Sequence, residues 1–148
     1  KIFIISFVWM CSTMLLLILE NNTSLSQNVI LNLVARFLFV FAITIPFDIR
    51  DLKYDAQTLR TIPLFFGVAR ARVIAVFVLF ICGIISIFQY FDLGLIFPNL
   101  LALILLYLVA SILILKSDKH KAERYFSFWV ESLSIFSYLF LVIMLLIF

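Results

Sequence analysis

The chain has 148 residues, of which 66% are hydrophobic and 13% are charged, and its formal net charge is +3 at pH 7. A soluble domain is about 45–50% apolar and about 25% charged, so this chain carries more apolar surface than one core can remove from water. The composition therefore excludes a water-soluble fold and gives no indication of nucleic-acid binding, and it is typical of a polytopic membrane protein.

Five apolar runs are each long enough for a spanning helix, which needs about 20 residues. None of these runs alternates apolar and polar residues as a transmembrane strand does. The sequence therefore predicts an all-α bundle of five membrane-spanning helices, with residues 1–148 forming a single transmembrane domain. The predicted spans, in chain order, are 2–19, 29–47, 73–91, 96–115 and 126–148.

The basic residues predict how these helices are oriented in the membrane. The connection 48–72 contains five Lys and Arg residues, the connection 116–125 contains four, and Lys1 precedes the first helix. The connections 20–28 and 92–95 contain none. Because short loops rich in Lys and Arg stay in the cytoplasm, the two basic connections are predicted to be cytoplasmic, with the C-terminus outside.

An aspartate-rich segment follows the second predicted span directly. Asp48, Asp51 and Asp55 are spaced i, i+3 and i+7, so a helix continuing through this segment would place all three carboxylates on one face. Arg50 and Lys53 are interleaved with them. The sequence therefore predicts a cluster of carboxylates and cations at the membrane surface.

Carboxylates held this close repel one another unless a cation shares them. Mg²⁺ takes oxygen ligands and is commonly bound by carboxylates together with substrate phosphates. Arg50, with its planar fork, and Lys53, as a point charge, would then contact the remaining phosphate oxygens. The cluster indicates a diphosphate held on Mg²⁺. The alternative is that these charges are solvated at a helix end and neutralise each other.

The segment as a whole resembles a known motif. The pattern Asp48-x-x-Asp51-x-x-x-Asp55, followed by Thr61-Ile62-Pro63 and then Gly67, is similar to the second aspartate-rich motif of the UbiA superfamily of intramembrane prenyltransferases. In that family the motif follows a spanning helix, faces the cytoplasm in bacteria and precedes three further helices. The same order is predicted for this chain.

The resemblance implies a fold, a location and a reaction. The chain would be the C-terminal five helices of a nine-helix bundle in the bacterial inner membrane, and the family's first aspartate-rich motif would precede Lys1. A polyprenyl diphosphate held through Mg²⁺ would lose diphosphate, and the resulting allylic cation would alkylate a lipophilic acceptor, usually an aromatic ring in quinone or haem synthesis. Asp48, Asp51 and Asp55 would be the metal-binding and catalytic residues, with Arg50 and Lys53 contacting the substrate.

Two other functions fit the same sequence. One is a catalytically degenerate relative of this family that binds isoprenoids or has a structural role. The other is a small carrier that uses Arg36 and Glu131 as a polar path, because each lies inside a predicted span, where an ionised group needs a partner or a function. A buried pair between Arg36 and Glu131 is the predicted structural arrangement.

The last predicted span also carries a polar stripe, and an apolar stretch interrupts the longest connection. The stripe is predicted to face the bundle interior, either bonding neighbouring helices or lining an acceptor pocket. The stretch 61–67 would either cap a site or anchor the chain at the membrane interface. The residues of the stripe are Ser127, Glu131, Ser134 and Tyr138.

Overall fold

The computed structural model describes residues 1–52, 61–118 and 121–148. Throughout these residues the secondary structure is helical, and no strand is formed. Five helices are long and apolar enough to cross a membrane, which confirms the all-α polytopic bundle. The helices are α1 (Ile2–Glu20), α2 (Gln27–Asp51), α3 (Ile62–Phe66), α4 (Val68–Asp92), α5 (Phe97–Lys116) and α6 (Tyr125–Ile147).

Two helices extend beyond the spans that the apolar runs predict. The α2 helix begins at Gln27, where the Ser26 hydroxyl accepts a hydrogen bond from the Val29 backbone N–H, and it continues to Asp51. The α4 helix begins at Val68, directly after Gly67, whose φ of 82° allows the chain to turn between α3 and α4. The connection predicted over 48–72 is therefore helical at both ends, which corrects its predicted bounds.

The α2 helix is the centre of the bundle. It packs against α1, α4, α3, α5 and the first turns of α6. Buried side chains cover its second half, among them Phe39, Ile45 and Ile49. In an apolar window of 18 residues in each helix, 44% of the window is buried in α2. The corresponding share is only 11% in α1 and 11% in α6. The residues near the end of α2 are thus held in the best-packed part of the fold.

The α4 helix packs on α2 through small residues. Ala71, Ala75 and Cys82 are each fully buried, and their spacing places them on one face of the helix. The opposite face exposes large apolar groups such as Phe77 and Phe80. A water-soluble protein would not tolerate such a surface, whereas lipid chains solvate it. The protein is an integral membrane protein.

The helix ends group into two sets, because successive long helices run antiparallel. Lys1 at the start of α1, Asp51 at the end of α2 and the starts of α4 and α6 lie at one end of the bundle, called here the aspartate end. An ion pair between Arg72 Nη2 and Asp118 Oδ2, at 3.0 Å, joins α4 to the residues that follow α5 at this end. The short helix α3 contacts α2 and α4, and its Phe65 is 79% exposed.

Candidate functional site

The structure places Asp48 and Asp51 one turn apart in the last part of α2. Pro46 lies inside this helix and lacks an N–H, so it cannot donate the usual bond to the carbonyl of Ala42. Two residues earlier, the Thr44 hydroxyl donates to the Val40 carbonyl oxygen at 2.6 Å. The helix continues through both features, so the predicted alignment of Asp48 with Asp51 on one face is confirmed.

The two carboxylates share one cation. Lys1 Nζ lies 3.6 Å from Asp48 Oδ1 and 3.8 Å from Asp51 Oδ2. The Asp48 side chain is only 3% exposed and that of Asp51 is 25% exposed, whereas Lys1 is half-exposed. A single positive group can therefore sit against both aspartates at once. In the sequence, Lys1 bears only on orientation, and no pattern there indicates this contact.

Both aspartates open into a cavity of about 770 Å³, called here the aspartate cavity. It is bounded by α1, the second half of α2 and the first half of α6. The charged groups in its lining are Lys1, Asp48, Asp51 and Glu131. Most of the remaining wall is apolar, and it includes Trp9, Val40, Ile43, Phe47, Phe128 and Ile135. The cavity therefore combines an anionic patch with a large hydrocarbon surface.

Three members of the predicted polar stripe, Ser127, Glu131 and Ser134, face this cavity. Its fourth member, Tyr138, is 72% exposed and lies outside the cavity. The stripe changes direction because α6 is π-helical over Tyr125–Val130 and forms a turn at 131–132 before it continues as an α-helix. Ser127 and Glu131 are exposed and Ser134 is half-buried, so these residues line an open cavity and the predicted position in the bundle interior is not confirmed.

Arg50 holds Asp51 rather than lining the cavity. Its Nε donates a hydrogen bond to Asp51 Oδ1 at 2.8 Å, and its guanidinium carbon lies 5.3 Å from the centre of the Phe47 ring. Arg50 therefore orients a carboxylate of the site. The sequence predicts that Arg50 contacts a phosphate and does not predict this bond to Asp51.

The other predicted site residues, Lys53 and Asp55, lie outside the described residues, so their predicted roles stay predictions. Within the ranges that the structure does describe, no three Asp, Glu, His or Cys side chains are grouped as a metal site. Mg²⁺ does not require such a group, because it is usually held by one or two carboxylates, substrate phosphates and waters. Asp48 and Asp51, which already share the Lys1 ammonium, fit that donor set.

Arg36 and Glu131 are not paired. The Nε of Arg36 donates to Thr13 Oγ1 at 3.3 Å, and Arg36 lines a second cavity between α1, α2, α4, α5 and α6. Glu131 lines the aspartate cavity instead. The predicted buried pair is therefore wrong. The positions of Arg36 and Glu131 along their helix axes predict that the two side chains lie at similar membrane depths. Those positions do not specify the direction in which each side chain points around its helix.

Comparison with protein-family models, with curated proteins and with solved structures gives no match to this chain, so its candidate function rests on the geometry and chemistry of the site.

Proposed function

We propose that the protein is a membrane-embedded prenyltransferase of the UbiA type, which transfers a prenyl group from a polyprenyl diphosphate to a lipophilic acceptor. One observation carries the proposal. Asp48 and Asp51 lie together at the charged end of a cavity of about 770 Å³ whose remaining wall is largely apolar. A prenyl diphosphate has the same two parts, an anionic head and a hydrocarbon chain.

The head group is assigned to the aspartate end of the cavity. Two carboxylates repel a diphosphate because like charges repel, so binding would require a divalent cation. Asp48 and Asp51 would hold Mg²⁺, which supplies charge neutralisation of the departing diphosphate. Arg50 fixes the orientation of Asp51 through the 2.8 Å bond from its Nε. Asp55 and Lys53 complete the proposed motif.

The prenyl chain is assigned to the apolar wall. In the proposed reaction the bond between the first prenyl carbon and the diphosphate oxygen breaks, and its electron pair leaves with the diphosphate. The acceptor carbon then bonds to the prenyl carbon and releases a proton. Phe47 and Phe128 line the cavity, and their apolar rings would limit the access of water to an allylic cation. Membrane lipids surround the apolar outer surface.

The orientation of the protein follows from its charges. Lys1, Arg70, Arg72, Lys116 and Arg124 all lie near the aspartate end, at helix starts or ends. Basic residues in short loops stay on the cytoplasmic side, so the proposed site faces the cytoplasm, as in a bacterial inner membrane. Diphosphate substrates and Mg²⁺ would then reach the cavity from the side where they are abundant.

Binding of a fluorescent farnesyl diphosphate analogue to the full chain in nanodiscs tests the proposal. We expect saturable binding that requires Mg²⁺ and is abolished by Asp51→Asn, because the neutral amide no longer attracts the metal. The matched control is Asp92→Asn, which removes an exposed carboxylate at the opposite end of the bundle and should leave binding unchanged.

Unchanged, Mg²⁺-dependent binding in Asp51→Asn would contradict the assignment of this aspartate. The degenerate alternative, in which the protein binds isoprenoids without turning them over, is separated by a second measurement. Incubation with farnesyl diphosphate, Mg²⁺ and a membrane extract containing quinone precursors should release diphosphate if the protein is a transferase. Binding without release would favour the degenerate relative.

A further inference from the structure

The second cavity lies inside the membrane-spanning part of the bundle, separate from the aspartate cavity. It has a volume of about 280 Å³, and we call it the arginine cavity. Arg36 lies 12 residues before Asp48 in α2, which is roughly 18 Å along a helix axis. The polar residues in its lining are Thr13, Asn32, Arg36, Ser86, Gln89, Tyr107 and Ser137.

Arg36 provides a positive charge that the described protein does not neutralise. Across residues 1–52, 61–118 and 121–148, no carboxylate lies within 4.0 Å of its guanidinium. Its one hydrogen bond there uses the Nε group and goes to the Thr13 hydroxyl. An arginine has five N–H donors, and this bond uses one of them. An ionised group this deep in a bundle is costly unless it has a partner.

Three of the neutral polar side chains around Arg36 already donate to partners. The Ser86 hydroxyl donates to the Cys82 carbonyl at 3.1 Å, and the Ser137 hydroxyl donates to the Ser134 carbonyl at 2.6 Å. The Gln89 amide, which is 1% exposed, donates to Asn32 Oδ1 at 2.9 Å. The charged group in the lining of this cavity is the guanidinium, and the partner that best matches its remaining N–H donors is an anionic acceptor.

We propose that the arginine cavity binds a carboxylate, held by Arg36, whose apolar body lies against Phe39, Leu103, Leu106 and Leu141. Those four side chains also line the cavity. A planar carboxylate matches the guanidinium fork, and a partly apolar acid can enter from the bilayer. The same chemistry could come from a small free acid or from a membrane-borne fatty acid. This site does not depend on the proposed prenyltransferase activity.

The test measures the affinity of the full chain, in nanodiscs of uncharged lipid, for benzoate and decanoate by equilibrium dialysis. Benzyl alcohol and decanol are the neutral probes of matching shape. We expect at least one acid to bind the wild type ten times or more tightly than its alcohol. Arg36→Gln should weaken acid binding at least tenfold, as expected for loss of a charge-assisted hydrogen bond. Arg70→Gln, which removes an exposed arginine, should not change it.

The outcomes separate the two sources of the carboxylate. Tighter binding of benzoate supports a small free acid, and tighter binding of decanoate supports a membrane-borne one. Failure of both acids to bind, equal binding of acids and alcohols, or unchanged acid binding in Arg36→Gln would each overturn the proposal. If Arg36→Gln does not fold, the acid-to-alcohol preference of the wild type and of Arg36→Lys decides the matter, because both retain the charge.

Discussion

The aspartate cavity and the arginine cavity share helix α2 but have opposite electrostatic character. The first is lined by Asp48, Asp51 and Glu131 with one cation, Lys1, whereas the second is lined by Arg36 with neutral amides and hydroxyls. The first is about 770 Å³ and the second about 280 Å³. The larger cavity suits a long chain with a metal-bound head, and the smaller one suits a compact acid.

The difference means that one helix presents opposite charges to two separate cavities. Charges in a membrane interior are costly, so each must face protein, water or a ligand. Arg36 and Asp48 are far apart along α2, and no ion pair joins them among the described residues. The two charges therefore do not neutralise each other. Arg36 lines the arginine cavity and Asp48 lines the aspartate cavity.

The largest expected effect is a separation of the two binding activities by Asp48→Asn. Loss of one member of a buried charged set costs about 2–5 kcal/mol, so Mg²⁺-dependent binding of prenyl diphosphate should fall about a hundredfold. Benzoate binding should not change, because Asp48 does not line the arginine cavity. Dialysis of both ligands against the same preparation measures the two effects together.

Arg36→Gln is the reciprocal control for this separation, and it should leave prenyl diphosphate binding unchanged. A parallel loss of both ligands in either variant would mean that the cavities act as one site or that the variant has unfolded. Retention of a cooperative thermal transition in each variant distinguishes these two explanations. Loss of both ligands in a variant that still unfolds cooperatively would contradict the view that the two cavities are separate sites.

The apolar runs were sufficient to predict the fold, because hydrophobic length alone determines which segments span a bilayer. They could not predict helix ends. Ser26 caps α2 earlier than its apolar run begins, and Val68 starts α4 within a basic segment. Capping and backbone geometry determine these boundaries, and neither contributes to hydropathy.

The site was predictable in part. The spacing of Asp48 and Asp51 correctly predicted a shared helix face, because that prediction needs only helical periodicity. The pairing of Arg36 with Glu131 was wrong, because it required the relative rotation of two helices that are distant in sequence. The polar stripe on α6 did contain a usable signal for Glu131, since Ser127 and Ser134 share its face and its cavity.

A smaller effect is expected from Arg50→Ala, which tests whether this residue positions Asp51. The bond from Arg50 Nε to Asp51 Oδ1 is 2.8 Å long, and the side chain is 30% exposed. Bonds to charged groups contribute about 1.5–3 kcal/mol, and partial exposure reduces this toward the lower bound. We expect prenyl diphosphate affinity to fall about tenfold at limiting Mg²⁺.

The Mg²⁺ dependence distinguishes positioning from direct phosphate contact in Arg50→Ala. If Arg50 acts through Asp51, saturating Mg²⁺ should restore most of the affinity. A loss that persists at saturating Mg²⁺ would show instead that the guanidinium contacts the phosphate. Arg70→Ala, which removes an exposed arginine, is the control for net charge.

The smallest effect is expected from Gln89→Leu, which alters the wall of the arginine cavity without changing its charge. Gln89 Nε2 donates to the side-chain oxygens of Asn28 and Asn32 and so joins α4 to the start of α2. Hydrogen bonds between membrane helices contribute about 0.6–2 kcal/mol, so the free energy of unfolding should fall by about 1 kcal/mol. Reversible unfolding in mixed micelles measures this change, and Gln27→Leu, at an exposed position, is the control.

The same variant, Gln89→Leu, should have only a small effect on acid binding. Because Arg36 retains its charge, benzoate affinity should weaken only about twofold to fivefold. A loss as large as that of Arg36→Gln would mean that the amide, and not the guanidinium, holds the acid.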